Sequence, residues 1–387
     1  MKKNIGLFLS TEPFAGGVYQ YSLSIIEALD LLSPEKYNLH CFYFDRAWES
    51  LLSHRFERTF IERRFINRAL SYLTRRLSHS PRGWRFAGTF SESSKAINAS
   101  DCDVVIYPAQ DCEAYQSKIK SIATIHDLMH RYESHFDEYQ GKEYANREIH
   151  YAAICNFADL ILVDSDIGKQ HVSESYRVVE SKVQVLPFVP PRYLLDSNLV
   201  NLRKKYSLPD RFVFYPAQFW EHKNHINLLK AIKLLVNDGI EIHLVLVGAK
   251  KNNYLATIEL IEQLGISEHI SVLGYVSNDE MYSLYKSAVA MIFVSLIGPT
   301  NIPPMEALLL GCPLVCSNAY AMPEQVGSAA LLVNPKDPVD IAEKIGVVWN
   351  DAEVRSNLSK LCQQQSEKYG HGEFAQLLCR YIDQVVI

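Results

Sequence analysis

The sequence lacks the features that mark membrane-spanning, nucleic-acid-binding and low-complexity proteins. No apolar run approaches the roughly 20 residues that a transmembrane helix needs. Basic residues are not in excess: 39 Lys and Arg stand against 44 Asp and Glu, and the net charge of −5 argues against a general nucleic-acid binder. With 48% hydrophobic and 21% charged residues, the composition predicts a soluble globular protein.

The eight cysteines show no paired spacing of the kind that binds a metal. We expect them to be small core residues in a reducing compartment, and therefore expect a cytoplasmic protein. The first ten residues resemble the start of a signal peptide, but their apolar part is short and Glu12 and Pro13 follow at once. A first buried strand is predicted there.

Apolar runs suited to buried parallel strands alternate with helical patterns along the chain, which predicts an α/β fold. The first half contains six such runs, at Ile5–Leu9, Leu39–Phe44, Val104–Tyr107, Ser121–Ile125, Leu160–Val163 and Val183–Leu186. The second half contains six more, at Phe212–Tyr215, His243–Val247, Ile270–Leu273, Val289–Val294, Leu314–Cys316 and Ala330–Val333. Each series predicts one Rossmann-like unit.

A chain of 387 residues exceeds one ordinary core and fits two domains of roughly 150 to 200 residues each. Because Pro187, Pro190 and Pro191 interrupt regular structure, we predict a first domain at 1–190 and a second at 191–369. Residues 370–387 have helical apolar spacing and are expected to return to the first domain. Ligands of such sheets bind at the carboxyl ends of the strands, so we expect an active site between the domains.

The most informative stretch runs from Gly298 to Pro313, where a loop joins an apolar strand to a helix. Thr300 or Asn301 is placed to cap the helix with a side-chain oxygen, and prolines occupy the first turn, where a missing N–H costs little. The positive helix end and its free amides predict a diphosphate site, with Glu306 accepting hydrogen bonds from a ribose. An ordinary capped helix with a solvated glutamate is the alternative.

Two further motifs follow predicted strands of the first half. Gly16 and Gly17 open a helix, and their bare backbone allows a ligand to approach closely; a plain tight turn is the alternative. His126 could bond a sugar hydroxyl or interact with a developing positive charge, and Asp127 could orient it. The alternative is a helix-capping Asp beside a satisfied histidine.

The second half begins with a strand that leads into Gln218–His225. Lys223 is the candidate cation for the diphosphate, because a flexible ammonium at a helix entrance offsets the charge of a leaving nucleoside diphosphate. A solvated surface lysine is the alternative, although Trp220, His222 and Asn224 are unusual for a plain turn.

Taken in order, these motifs resemble those of family 4 glycosyltransferases, which have the GT-B fold, over nearly the whole chain. The matching segments are Gly16–Gly17, Ile125–Asp127, Ala158–Ser165, Gln218–Asn224 and the Glu306 loop. The resemblance implies a retaining enzyme without a bound metal or other cofactor, which uses a nucleotide-diphosphate-sugar and often builds bacterial surface polysaccharides or glycolipids. It also implies that Glu306 binds the ribose, Lys223 the diphosphate, His126 the donor sugar, and the two glycines the diphosphate region.

The chain departs from the family pattern at two positions. The family has an arginine five residues before the lysine and two glutamates eight positions apart, whereas this chain has Gln218 and Gly298 at the first member of each. Thr300, Asn301 and loop amides could supply the missing partners, and the donor sugar stays open. The candidate donor-binding residues are Gly16, Gly17, Gln218, Lys223, Asn224, Gly298, Thr300, Asn301, Ile302 and Glu306, and the candidate catalytic residues are His126, Asp127, Lys223 and Glu306.

The expected reaction is departure of the nucleoside diphosphate while an acceptor hydroxyl attacks from the same face. The leaving phosphate takes the acceptor's proton, and Lys223 with the helix-end amides stabilises its charge. A saccharide or lipid-linked saccharide is the expected acceptor. Between Arg55 and Arg85, nine arginines and two glutamates interleave with apolar residues, which predicts either peripheral contact with the anionic inner face of the cytoplasmic membrane or a solvated helix.

Other functions stay open at this point. Asp164 and Asp166 follow an apolar strand in the Asp-x-Asp form used by metal-dependent GT-A transferases, and Asp101-Cys102-Asp103 is a second match, but that architecture has no place for the second Rossmann-like half. Gln218 and Gly298 would also suit a catalytically silent GT-B protein that binds a nucleotide or scaffolds a glycan-assembly complex. A sugar-nucleotide epimerase is a further alternative, which the Glu306 loop disfavours.

Overall fold

Two parallel β-sheets organise this computed structural model, which describes residues 2–13, 16–62, 70, 73–74, 76–298 and 301–386. Each sheet belongs to one compact unit. The chain up to Val189 and from Gly370 onward forms the first unit, and Pro190–Tyr369 forms the second. The predicted α/β class with two Rossmann-like sheets is confirmed, and the GT-A alternative does not account for the second sheet.

The sheet of the first unit has seven strands. They are β1 Lys3–Leu9, β2 Tyr37–Tyr43, β3 Phe56–Phe60, β4 Val104–Tyr107, β5 Lys120–Thr124, β6 Leu160–Val163 and β7 Val183–Val185. Their order is β3-β2-β1-β4-β5-β6-β7, and all neighbours are parallel. The order reverses between β1 and β4, the kind of point at which open parallel sheets bind ligands.

The sheet of the second unit has six strands. They are β8 Val213–Pro216, β9 Leu244–Val247, β10 Ile270–Gly274, β11 Ala290–Phe293, β12 Leu314–Ser317 and β13 Ala330–Val333. Their order is β10-β9-β8-β11-β12-β13, again parallel throughout. Here the order reverses between β8 and β11, so the loops after these two strands are the ones best placed to bind a ligand.

Helices connect the strands. The described α-helices are α1 Gly16–Asp30, α2 Pro81–Phe86, α3 Glu92–Asn98, α4 Glu113–Gln116, α5 Met129–Tyr132, α6 Gly141–Phe157, α7 Asp166–Tyr176, α8 Tyr193–Asp196, α9 Leu202–Tyr206, α10 His225–Asn237, α11 Tyr254–Gln263, α12 Asn278–Ser287, α13 Ile302–Leu310, α14 Met322–Val326, α15 Pro338–Asn350, α16 Ala352–Ser366 and α17 His371–Val386. Short 3-10 turns occupy Arg46–Ser50, Ala87–Phe90, Asp137–Tyr139, Glu180–Lys182, Glu221–Lys223, Ser267–His269, Gly327–Ala329 and Glu367–Tyr369.

The strand predictions agree with the structure except at β3. All twelve predicted strands are present, with ends that differ by up to two residues. Phe56–Phe60 lies within the stretch for which the sequence predicted a basic amphipathic surface or a solvated helix, and for these residues a helix is wrong. The strand lies at the sheet edge, and Glu57 and Arg58 are exposed on it, so it lacks the continuous apolar run of a buried parallel strand.

Helix α17 packs against α1 and completes the core of the first unit. Its apolar positions follow helical spacing, and Phe374, Leu378 and Ile382 are buried. Asp383, also on α17, accepts hydrogen bonds from Lys3 and Tyr37, at 3.0 and 2.7 Å. Helix α17 therefore belongs to the same unit as strand β1.

The eight cysteines are free thiols that are buried or half-buried. This agrees with their predicted use as small core residues. Within the described residues, no helix combines the length and the apolar character needed to cross a bilayer.

Candidate functional site

The loops after β8 and β11 meet at the start of helix α13. Asn301 is the residue that precedes this helix, and its side-chain oxygen accepts a hydrogen bond from the Lys223 ammonium, with 3.0 Å between Oδ1 and Nζ. The prediction that the Asn301 side chain caps the helix is wrong, because that oxygen is turned toward Lys223 instead. Thr300, the other predicted cap, lies outside the described residues. The two predicted elements of a diphosphate site are thus joined by a direct contact.

The first turn of α13 offers few backbone donors. Ile302 is its first residue, and Pro303 and Pro304 follow without an N–H. Of these three residues only Ile302 has an amide hydrogen, so the expected row of free amides is reduced to one position. The peptide dipoles along α13 still place a positive end here, although two of the N–H groups that would carry its charge are missing.

Lys223 ends the 3-10 turn Glu221–Lys223, and the next residue fixes the direction of the chain. Asn224 has a left-handed backbone with φ of 62° and precedes α10. Its buried amide donates to the carbonyls of Val294 and Pro335, at 2.9 and 2.6 Å. The Asn224 side chain therefore ties the loop after β8 to the end of β11, and in this structure it serves to position Lys223.

Glu306 lies on α13 and is 6% exposed. Its two carboxylate oxygens accept hydrogen bonds from the Tyr193 and Tyr285 hydroxyls, each at 2.6 Å. Burial raises the pKa of Glu306, and the two tyrosine hydrogen bonds oppose that shift. Each carboxylate oxygen accepts more than one hydrogen bond, so these contacts leave capacity for a hydroxyl ligand.

Gln218 and Gly298 occupy the positions at which the family pattern has charged residues. The Gln218 side-chain oxygen accepts from the Trp220 indole at 3.0 Å. Gly298 has φ of 120°, and a Cβ built on it would lie 2.6 Å from Nδ2 of Asn301. The Asn301 amide thus fills the space that a side chain at position 298 would need.

In the first unit, Gly16 and Gly17 begin α1 and are exposed, as predicted for a helix opened by glycines. Gly16 has φ of 71°, a left-handed conformation that favours glycine. The preceding loop carries Ser10, whose hydroxyl donates to the Asp111 carboxylate. Burial, and secondarily Glu113, raises the pKa of Asp111. Asp111, whose carboxyl can be protonated, therefore contacts Ser10 at the end of β1.

His126 follows β5 and is held by the loop after β4. Its Nε2 lies 2.8 Å from the Pro108 carbonyl, which makes Nε2 the donor, and its backbone N–H donates to Gln110. The Asp127 carboxylate accepts a hydrogen bond from the Met129 backbone N–H at 3.0 Å and lies 4.0 Å from the Arg147 guanidinium, so its contacts are with the start of α5 and with α6. The ring of His126 is therefore oriented by the Pro108 carbonyl, and the prediction that Asp127 orients it is wrong. Burial lowers the pKa of His126, which favours the neutral ring.

The Asp-x-Asp segments have structural partners. The Asp103 carboxylate accepts a hydrogen bond from the backbone N–H of Asn4 at 2.7 Å, and the Asp101 carboxylate accepts one from the Asn4 side chain. These contacts join the amino ends of β1 and β4. Ser165 caps α7 by accepting from Gly168 and donates to Asp164. Among the described residues no group of three or more His, Cys, Asp or Glu side chains is arranged to hold a metal ion.

Part of the arginine-rich stretch lies outside the described residues, namely 63–69, 71–72 and 75. Of the described arginines, Arg55 donates to the Asp30 carbonyl and Arg58 to the Leu52 carbonyl, so both take part in folding the β3 region. Leu77 and Phe86 are strongly exposed, at 74% and 61%. Exposed apolar residues therefore remain in the described part of the stretch after these two arginines are discounted.

Sequence reasoning missed Tyr193, Tyr285 and Gln325. Tyr193 and Tyr285 hold Glu306, and Gln325 holds Asn301 by two hydrogen bonds. They lie on α8, α12 and α14, far from the motifs along the chain. No local pattern marks a tyrosine or glutamine whose partner is 20 or more residues away, so only the tertiary contacts identify them.

Comparisons with known proteins identify relatives in sequence and in fold. Residues 201–365 match the model of the family described as glycosyl transferases group 1. The serotype-specific mannosyltransferase WbdA of Escherichia coli is 25% identical over 271 residues, which are 67% of this chain and 32% of WbdA. The O-antigen chain mannosyltransferase B of Escherichia coli is 27% identical over 230 residues, 56% of this chain and 58% of that protein. The matched region thus spans less than two thirds of either relative.

Solved structures share the architecture at low sequence identity. Sucrose-phosphate synthase of Thermosynechococcus elongatus has a TM-score of 0.76 at 16% identity, with 99% of both chains covered. Anabaena HepE in complex with UDP and glucose has a TM-score of 0.74 at 16% identity, with 98% of this chain and 99% of that chain covered. These similarities establish the predicted GT-B fold. Residues 201–365 therefore resemble the glycosyl transferases group 1, and the chain as a whole shares the GT-B fold.

Proposed function

We propose that the protein is a retaining glycosyltransferase that moves a sugar from a nucleotide-diphosphate-sugar to a saccharide or lipid-linked saccharide acceptor. The contact between Lys223 and Asn301 carries this proposal, because it brings a cation to the start of α13. The loops concerned leave the neighbouring strands β8 and β11, where the strand order reverses. A cation beside a helix N-terminus is suited to diphosphate.

The names of similar proteins support the substrate class. HepE was solved with UDP and with UDP-glucose, and several relatives are named as O-antigen or serotype-specific mannosyltransferases. We propose from these names that the acceptor belongs to the assembly of a bacterial surface polysaccharide. The nucleotide base and the sugar are left to experiment.

The proposed chemistry needs charge stabilisation at the leaving phosphate. As the bond between sugar and phosphate breaks, negative charge grows on the phosphate oxygen, and the Lys223 ammonium with the α13 dipole stabilises it. The acceptor hydroxyl attacks from the same face and its proton passes to that phosphate oxygen. Retention then requires no nucleophile from the protein, and we propose that no metal ion takes part.

The other candidate residues have proposed binding roles. Glu306 would accept a ribose hydroxyl while Tyr193 and Tyr285 hold its carboxylate in place. Neutral His126 would contact the donor sugar, since its ring is fixed by the Pro108 carbonyl. Gly16 and Gly17 would allow the diphosphate to approach the backbone of α1. Asp127 is proposed to act through its contacts with the start of α5 and with Arg147 on α6.

A peripheral position on the cytoplasmic membrane is proposed as well. Leu77 and Phe86 are exposed beside the exposed Arg76 and Arg82. Basic and apolar side chains on one surface favour anionic lipid, where a lipid-linked acceptor would be found.

The test is product formation by the purified protein in EDTA. GDP-, UDP- and dTDP-sugars are offered with lipid-linked saccharide acceptors, and the wild type is compared with Lys223→Ala, Glu306→Ala and the matched control Lys230→Ala. Lys230 is exposed on α10, so its loss should leave transfer unchanged. We expect transfer in EDTA that falls at least about a hundredfold in the Lys223 variant, the scale of losing one group that stabilises transition-state charge.

Two results would contradict the proposal. A requirement for added metal would contradict metal independence and turn attention to Asp164 and Asp166. Tight nucleotide binding without product from any donor would favour the catalytically silent protein suggested by Gln218 and Gly298.

A further inference from the structure

The buried side chain of Gln325 makes two hydrogen bonds with the backbone of Asn301, the residue that contacts Lys223. Gln325 lies on α14 and is 3% exposed. Its side-chain Nε2 donates to the Asn301 carbonyl at 2.6 Å, and its Oε1 accepts from the Asn301 N–H at 3.2 Å. The side chain thus pairs with both polar groups of one backbone residue, an exchange of two hydrogen bonds like that between paired strands. Both the position and the rotation of Asn301 are fixed by it.

The glutamine is itself anchored through its backbone. The Gln325 carbonyl accepts hydrogen bonds from the Gln365 side chain at 3.1 Å and from the Tyr369 hydroxyl at 3.0 Å. Gly327, which ends α14, packs against the Gln365 side chain, where an added Cβ would lie 3.1 Å from Oε1. Helix α14 is therefore held by α16 and the turn after it, independently of the contact between Gln325 and Asn301.

The side chain of Asn301 links this fixed backbone to the Lys223 ammonium. Its side-chain oxygen contacts the Lys223 ammonium, and its amide fills the space in front of Gly298, where the family pattern has an acidic residue. An amide oxygen has no net charge, so it orients the ammonium without neutralising it. A carboxylate in the same place would do both.

We propose that Gln325 is a positioning residue for the diphosphate site, which holds the Asn301 backbone so that the Asn301 side chain sets the place of the Lys223 ammonium. The inference rests on the proposed function, in which Lys223 binds the donor diphosphate. Gln325 touches neither substrate nor reacting atoms in this scheme. It acts on the ligand through two intervening side chains.

The experiment measures UDP and GDP binding to the full chain by titration calorimetry. The variants are Gln325→Leu, Lys223→Met, their combination, and Tyr369→Phe. The last removes a hydrogen bond to the backbone of the same glutamine while leaving its side chain intact, and it therefore controls for loss of stability around α14.

We expect Gln325→Leu to weaken nucleoside diphosphate binding about tenfold, the scale of a perturbed hydrogen bond to a charged group. Tyr369→Phe should change binding by less than about twofold. In the Lys223→Met background, Gln325→Leu should add less than about twofold, because residues that act through one shared contact are not additive. Thermal unfolding of each variant reports whether the fold is retained.

Unchanged binding in Gln325→Leu would overturn the inference, as would a Gln325→Leu effect of full size in the absence of the Lys223 ammonium. Failure of the proposed function would give a different result. In that case the wild type itself binds neither UDP nor GDP, and the positioning role falls with it.

Discussion

At the scale of single residues, His225 makes the stability of the second unit depend on pH. It is fully buried and stacked on Phe219, with ring centroids 4.5 Å apart. Burial, with a smaller contribution from Lys223, lowers the pKa of His225 to about 3. The unfolded chain takes up a proton near the ordinary histidine pKa of about 6.5, whereas the folded protein does not. Stability contributed by the neutral ring is therefore present above about pH 6.5 and is lost as the pH falls toward 3.

His225→Phe should remove this dependence. The free energy of unfolding of the wild type, relative to the variant, should fall between about pH 6.5 and 4.5 with a slope approaching about 1.4 kcal/mol per pH unit, the limit for one proton. Urea unfolding across this range measures the difference, and pH 7.5 supplies the reference at which both side chains are neutral. Parallel curves for the two proteins would show that His225 does not carry the effect.

The residues of the candidate site were predictable to different degrees. Lys223, Asn301 and Glu306 follow strands and open helices, so chain order alone indicated a shared sheet edge. Their partners could not be predicted, because Tyr193 lies 113 positions before Glu306 and Gln325 lies 24 after Asn301. The expected cap by Asn301 failed for the same reason: a distant lysine competes for its oxygen.

At the scale of elements, Gly298 constrains which side chains the segment after β11 can accept. Gly298 has a left-handed backbone, and a Cβ there would approach the Asn301 amide to 2.6 Å. Restoring the acidic residue of the family pattern with Gly298→Glu should therefore destabilise the loop by about 1–3 kcal/mol and should not improve nucleotide binding. Chemical unfolding and calorimetric titration with UDP and GDP test both parts.

Gly372→Glu is the matched control for this loop variant. It adds the same charge on α17, where an added Cβ would meet nothing within 4 Å. A Gly298→Glu protein as stable as this control, with tighter nucleotide binding, would mean that the loop readily accommodates the family's acid.

Elements that are buried on both faces were the easiest to predict. Strands such as Val104–Tyr107 and Leu160–Val163 are continuous apolar runs, and the structure reproduces their predicted bounds. The edge strand β3 was missed because only part of it is buried and charged residues interrupt it. Periodicity thus identified the centres of the two sheets better than their margins.

At the scale of the whole molecule, the first unit depends on the last described helix. Phe374, Leu378 and Ile382 on α17 are 3%, 0% and 0% exposed and belong to the core that contains β1 and α1. Removing residues 371–387 should destabilise the first unit by several kcal/mol, since each large core side chain is worth about 2–5 kcal/mol. The second unit should keep its own unfolding transition. Amide hydrogen exchange, read separately over 2–189 and 190–369, distinguishes the two.

A single exposed substitution on the same helix provides the control. Arg380→Ala should leave exchange in both units close to that of the wild type, because Arg380 is exposed. Equal loss of protection in both units after the truncation would contradict the assignment of α17 to the first unit alone.

The second unit is a single uninterrupted segment, Pro190–Tyr369, inserted into the chain of the first. During translation all residues of the second unit are therefore synthesised before those of α17. Domains generally fold as units while synthesis proceeds, N-terminal first. Here the first unit cannot complete its core until α17 has been synthesised, so the second unit, although it is encoded later, is the first whose described polypeptide is complete.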